Sequence, residues 1–194
     1  AGYLPHAALR VYVMGQRGAD RDPATPEDIA RMCELLGQAL DAGALGIATS
    51  RTIFHRSSDG TPIPTLEASD EELLAFARTL KEKGKGVFQI VGDFDNPDDH
   101  FNRLRKLAEC SGRTVTFSMG TTNNEPYYWP KVLELLAQAN ADGLSIKAQV
   151  MPRAIGMMLG HELTLNPFYS TASYREIAHV PLQQRLELLR KPEV

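Results

Sequence analysis

Residues able to do chemistry crowd into one stretch, "RTIFHRSSDGTPIP", positions 51–64. Arg51, His55 and Arg56 set three nitrogen-donor side chains beside Ser57, Ser58 and Asp59. Such a group suits a carboxylate or another small anion, because a planar guanidinium can meet two oxygens at once. The same residues also fit a surface turn, since Asp59-Gly60 followed by prolines is turn chemistry with solvated charges. Residue pattern alone leaves both readings open. What favours the first is the preceding "GALGIATS" (43–50), which reads as a strand buried on both faces and opening straight into this loop.

Other familiar chemistries lack their signals. The five histidines, His6, His55, His100, His161 and His179, form no HxH, HxxxH or Cys/His cluster, so no metal site is expected from this chain alone. There is no GxGxxG or GxxxxGK[ST] to cradle a nucleotide, and no GxSxG to present a serine nucleophile. The acidic run "DFDNPDD" (93–99) could hold a divalent cation, but a helix start whose dipole favours acids explains it more simply. His100, at that helix start, is expected to be exposed. "YYWP" (127–130) suits either an aromatic platform or packing ahead of a helix. A net charge of −3 gives no bulk attraction to nucleic acid or to an anionic membrane. No apolar run approaches a membrane span. Cys33 and Cys110 are too few for a disulfide framework and are predicted to be buried free thiols, which fits a cytoplasmic location.

The elements that must position the loop recur as strand and helix. Thr25, Pro26 and Asp28 resemble a capping box, and Ile29, Met32, Leu36 and Leu40 form an apolar stripe ending at Gly43. Ser69 and Glu72 form a second box ahead of Leu73, Phe76, Ala77 and Leu80. Asn96 and Pro97 start a third helix and Pro130 a fourth. Between them lie strand-like runs at 44–49, 86–91, 114–119 and 144–151. "LRVYVM" (9–14) has strand propensity but also fits a loop or a helical turn. Beyond Pro152 the pattern fades, with Ser173 and Glu176 as a cap for a short helix and 181–190 as a further one. Alternating strands and helices predict a parallel α/β sheet with right-handed crossovers. Ligands of such sheets bind at the carboxyl ends of the strands. The exits are 5–10, 50–60, 91–99, 118–126 and 149–156, so the opening stretch falls on the expected functional face.

Those residues also carry a resemblance. "PHAALRVYVMG" followed by "ADRDPATPEDIARMCELLGQALDAGALGIATSRTIFHRSSDGTPIPT" resembles the N-acyl-D-amino-acid deacylase (D-aminoacylase) branch of the amidohydrolase superfamily. Members typically show Gly-His-Ser-x-Leu-Arg, then a helix, then Gly-Ala-x-Gly-x-Ser-Thr. Here the first motif reads Pro5-His6-Ala7-Ala8-Leu9-Arg10, and the second Gly43-Ala44-Leu45-Gly46-Ile47-Ala48-Thr49. The segments 151–160 and 173–194 are similar to the same branch.

The resemblance implies a partial (β/α)₈ TIM barrel, an internal fragment holding about strands three to seven. Residues 1–151 would be the barrel part and 152–194 an irregular and helical tail of the same domain. It also implies that "LRVYVM" is a turn or short helix. In such enzymes a metal-activated water attacks the amide carbonyl while an Asp moves the proton. The HxH pair, a bridging ligand and that Asp would lie outside 1–194. The usual strand-five and strand-six histidines correspond to about Val91 and Met119, which cannot ligate zinc usefully, so any zinc or other divalent metal is expected in a longer parent. The expected ligand is a small N-acylated amino acid bound by Arg51, His55, Arg56 and Asp59, with His6 adding a hydrogen bond at the neighbouring exit. Two alternatives are a catalytically silent barrel that binds a small anion and a self-contained flavodoxin-like domain. The chain is expected to hydrolyse nothing alone and to self-associate through open sheet edges, or cover one with its tail.

Overall fold

In the computed structural model, residues 2–93, 96–120, 128–153, 156, 158–163 and 166–191 are described. They cluster into two compact units, one of 1–55 with 62–152 and one of 56–61 with 153–194.

The first unit alternates strand and helix. β1 (Leu4–Pro5) leads into α1 (His6–Met14) and the short α2 (Gln16–Ala19), then α3 (Pro26–Asp41), β2 (Gly46–Arg51), α4 (Asp70–Lys83), β3 (Val87–Gly92), α5 (Pro97–Ser111), β4 (Val115–Ser118), α6 (Trp129–Ala141) and β5 (Ile146–Gln149). The strands form one sheet in the order β1-β2-β3-β4-β5, every pair parallel. The expected α/β class and parallel sheet are therefore present.

Local sequence explains the helix boundaries. Thr25 and Asp28 make a full capping box on α3, with Pro26 in its first turn. Asn96 caps α5 by accepting from the Asp99 amide, and Gly84 and Gly112 end α4 and α5 in the left-handed conformation. The apolar stripes meet one face of the sheet. Ile47, Phe88, Ile90, Val115, Phe117 and Ile146 pack with Leu36, Leu40, Leu73, Phe76, Leu80, Leu104 and Val132 in a single core. Phe101 meets Phe117 edge to face at 6.0 Å.

Several expectations shift. "LRVYVM" lies in helix α1, with Leu9, Arg10 and Met14 buried, as the resemblance implied and against its strand propensity. The first long strand sits two residues later than predicted, and the last is the four residues Ile146–Gln149. Both cysteines are half-buried, not fully so. In the second unit α7 (Ala172–Ile177) is capped by Thr171, not Ser173, and α8 (Leu182–Leu189) follows. That unit's own small core stacks His161 against Tyr174 at 5.7 Å, with Arg185 donating to the Tyr174 hydroxyl at 3.0 Å.

The backbones of β2 and β3 come close together at Gly46. Its φ is +148°, and an added Cβ would lie 1.9 Å from the Val87 carbonyl oxygen, which no side-chain movement relieves. Gly46→Ala is expected to lower unfolding free energy by more than about 2 kcal/mol, whereas Gly43→Ala should cost about 1 kcal/mol for its backbone conformation alone. Gly43 also has positive φ, with nothing near its missing Cβ. Urea unfolding of both variants checks this, and equal midpoints would refute the close approach.

Candidate functional site

The exits of β1 and β2 are tied together by a buried polar network. His6 begins α1 directly after β1 and has no solvent exposure. Its Nδ1 lies 2.8 Å from Thr49 Oγ1 on β2, and its Nε2 lies 2.5 Å from Glu72 Oε1 on α4. Arg10 ion-pairs with the other Glu72 oxygen and donates to the Asp22 carbonyl at 2.6 Å. Burial alone would raise the Glu72 carboxyl, but donation from His6 and Arg10 outweighs it and holds the group below the usual carboxylate range. Burial pushes His6 below the ordinary imidazole value despite the carboxylate beside it. Both ring nitrogens of His6 are thus engaged, Nε2 with the Glu72 carboxylate and Nδ1 with the Thr49 hydroxyl.

The predicted binding residues occupy different settings. Arg51 ends β2 on the helix-covered side, alternating with Ile47 and Thr49, and its half-buried guanidinium donates to the Ala68 carbonyl. His55 is exposed, and its Nδ1 lies 2.7 Å from Ser50 Oγ. Arg51 and His55 belong to the first unit, and Arg56 and Asp59 to the second. Arg56 donates to the Gly60 carbonyl at 2.9 Å, while Asp59 accepts from the Thr61 amide at 3.0 Å and its hydroxyl at 2.8 Å. His6 has both ring nitrogens engaged inside the first unit.

Three further residues shape the exits. Asp93, just past β3, accepts the Ile53 amide at 2.9 Å and so pins the loop after β2. Its membership of an acidic run had masked this structural task. Ser50 sits under His55. The expectation that His100 is exposed is overturned: its ring lies against Gly92, where an added Cβ would come within 1.9 Å of Cε1. Burial, then the nearby Arg103 and Arg51 guanidiniums, push its imidazole down to about 4. Of "YYWP", Tyr128 packs against the core and Trp129 is partly exposed, while Tyr127 lies outside the described residues. So do 121–126 of the β4 exit, Phe94 and Asp95, Ala154, Ile155 and Met157 of the 151–160 segment, and the last three positions of 173–194.

The fold can be set beside known structures. No family model matches the chain, and no curated protein does. Among solved structures, a D-aminoacylase variant in complex with copper chloride is 24% identical, with a TM-score of 0.63 over 80% of this chain and 31% of its own. A D-aminoacylase described as defining a novel subset of amidohydrolases gives the same identity and TM-score, covering 78% of this chain and 30% of its own. The chain has the fold of a D-aminoacylase segment. It spans about a third of the length of those enzymes.

One of these structures concerns a binuclear metal centre in D-aminoacylase. Among the described residues of this chain, no group of three or more His, Cys, Asp or Glu side chains could hold a metal ion. β3 and β4 end at Gly92 and Ser118, with Val91 and Met119 beside them, neither of which carries a zinc-ligating side chain. The described residues do not fit that centre, and no step is assigned through a metal here.

The buried His6 and half-buried His100 imidazoles make stability fall with acid. His100 takes up a proton below 6.5 in the unfolded chain but only below about 4 in the fold. Its contribution is therefore complete above pH 6.5 and declines as pH drops towards 4. His6, also lowered, adds with the same sign, and Glu72 adds a loss below the ordinary glutamate range. Between pH 7 and pH 5 the His100 contribution should fall by about 2 kcal/mol. Urea midpoints at the two pH values measure it. His100→Gln should shrink the difference by about that amount, and identical midpoints for the parent chain would refute the burial of both rings.

Proposed function

We propose that the chain is part of an amide-hydrolysing barrel of the D-aminoacylase kind, its β1 to β5 serving as barrel strands three to seven. Residues 152–194 would be the tail of the same domain. One observation carries the reading: five parallel strands in sequential order align with D-aminoacylase over 80% of the chain, at a TM-score of 0.63. The sequence likeness at 5–15 and 19–65 supports the same enzymes.

The substrate is an N-acyl-D-amino acid or a related small carboxylate, taken up at the carboxyl ends of the strands. Arg51, His55, Arg56, Asp59 and His6 remain the proposed recognition set, with unequal tasks. His55, exposed and held by Ser50, is suited to touch ligand. Arg51, through Ala68, and His6, through Thr49 and Glu72, are suited to hold the rim in place. The reacting groups lie on strands outside 1–194, so the chain alone binds without turnover. Open edges at β1 and β5 favour self-association. No helix among the described residues is long and apolar enough to cross a membrane, and we place the protein in the cytoplasm, without nucleic-acid partners. Among the described residues no group could hold a metal ion, and Val91 and Met119 stand where ligating histidines are usual, which favours a second reading, a catalytically silent barrel that keeps the anion site.

Calorimetry with N-acetyl-D-leucine and its neutral amide tests binding, and release of free leucine tests turnover. The acid is expected to bind more tightly than the amide, with no leucine released. Turnover by the chain in the presence of chelator would overturn the barrel assignment, and equal binding of acid and amide would overturn anion recognition. Metal content of a longer chain carrying the remaining strands separates the two readings, since a silent barrel purifies without metal.

A further inference from the structure

Parallel sheets are normally covered by helices on both faces, and their strands read as continuous apolar runs. This sheet is apolar on one face only. Residues that alternate with the core set form a row in register, Ala48 beside Gln89, Gln89 beside Thr116 and Thr116 beside Lys147. One step nearer the carboxyl ends, Ser50 pairs with Val91 and Ser118 with Gln149. The Thr116 hydroxyl donates to the Gln89 side-chain carbonyl, so the middle of this face is already a hydrogen-bonded polar floor.

Lys147 stands out in that row. It is exposed, sits two positions before the end of β5, and makes no ion pair among the described residues. Two residues of strand span about 6.6 Å, a distance its four-carbon stem can cover towards the rim where Ser118 and Gln149 lie. Arg51, one of the three basic residues expected to bind, alternates onto the opposite face and gives a donor to Ala68. Among the described residues of the five strands, the cation on the face away from the core is therefore the Lys147 ammonium of β5.

We infer that the face of the sheet away from the core binds a small carboxylate, with Lys147 as its cation and Ser118 and Gln149 as surrounding hydrogen-bonding groups. This rests on the substrate class given above and assigns its charged end to a strand that the loop-based reading does not use. An ammonium makes a point contact with one or both carboxylate oxygens, and a neutral amide at the same place loses it.

The test is calorimetry on the whole 194-residue chain with N-acetyl-D-leucine and N-acetyl-D-leucinamide. Lys147→Met should weaken the acid about tenfold and leave the amide unchanged, while Lys147→Arg keeps most of the acid binding. Arg51→Ala should affect acid and amide alike, as a change in loop support would. Acid binding by Lys147→Met equal to the parent chain's overturns the inference and leaves the proposed function standing. So does an equal loss for acid and amide. If the parent chain binds neither probe, the inference and the substrate class fall together. Because Lys147 is exposed, the urea midpoint of Lys147→Met should match the parent's, which separates lost binding from lost folding.

Discussion

A carboxylate sealed from solvent holds the first unit's geometry together. Glu72 projects from α4 with no exposure, and each of its oxygens receives a donor from α1, His6 on one side and Arg10 on the other. A buried ion costs several kcal/mol to desolvate, and it is tolerated only when its lone pairs are filled by well-placed partners. The requirement is mutual, because neither donor has another carboxylate to turn to in that core. His6 passes the constraint to Thr49, so the strand whose last residues are Ser50 and Arg51 is fixed laterally by a helix that precedes it by some thirty residues. The exit loop rests on this network, in which both Glu72 oxygens are filled.

Around that anchor the two faces of the sheet do different work. Towards the helices, Ile47, Phe88, Ile90, Val115 and Phe117 are fully buried and interlock with the helix stripes. Away from them, Gln89, Thr116, Ser118 and Gln149 hold side chains that need hydrogen-bond partners. A sheet can carry this division only because strand side chains alternate strictly, so each chemical demand is met without disturbing the other. The exits then join the faces. Asp93 ties the β3 exit to the β2 loop, and the His100 ring occupies the space that the absent Gly92 side chain leaves.

Much of this was legible from residue order. The helices α3, α4 and α5 were readable because each carries a cap at one end, a stop at the other and a buried stripe between. Glu72 was misread for an instructive reason. Spaced three residues after Ser69, it satisfies a capping-box pattern, and Ser69 does accept the Glu72 amide. Its own carboxylate turns inwards, and the clue was its position four residues before Phe76, on the apolar side of the helix. His100 was hidden by its acidic neighbours, since an acidic first turn suggests a solvated end, while the ring points back at a glycine eight residues earlier at the end of β3. α1 was ambiguous because "VYV" favours strands locally, and only tertiary burial of Leu9, Arg10 and Met14 decides for helix. The meaning of Arg51 depended on strand parity. A two-residue uncertainty in where β2 ends leaves the side unchanged and a one-residue slip reverses it, so no motif could settle which way it faces.

The order of the strands in the sheet is their order along the chain, β1 through β5 without a skip. During synthesis, every new strand emerges when its only required neighbour is already made, and the intervening helix is the linker that delivers it. The sheet can therefore grow by accretion from the amino-terminal side, each step closing a connection of about 20 to 40 residues instead of waiting for a distant partner. Glu72 emerges after His6, Arg10 and Thr49, so the donors are in place before the charge that must be buried against them.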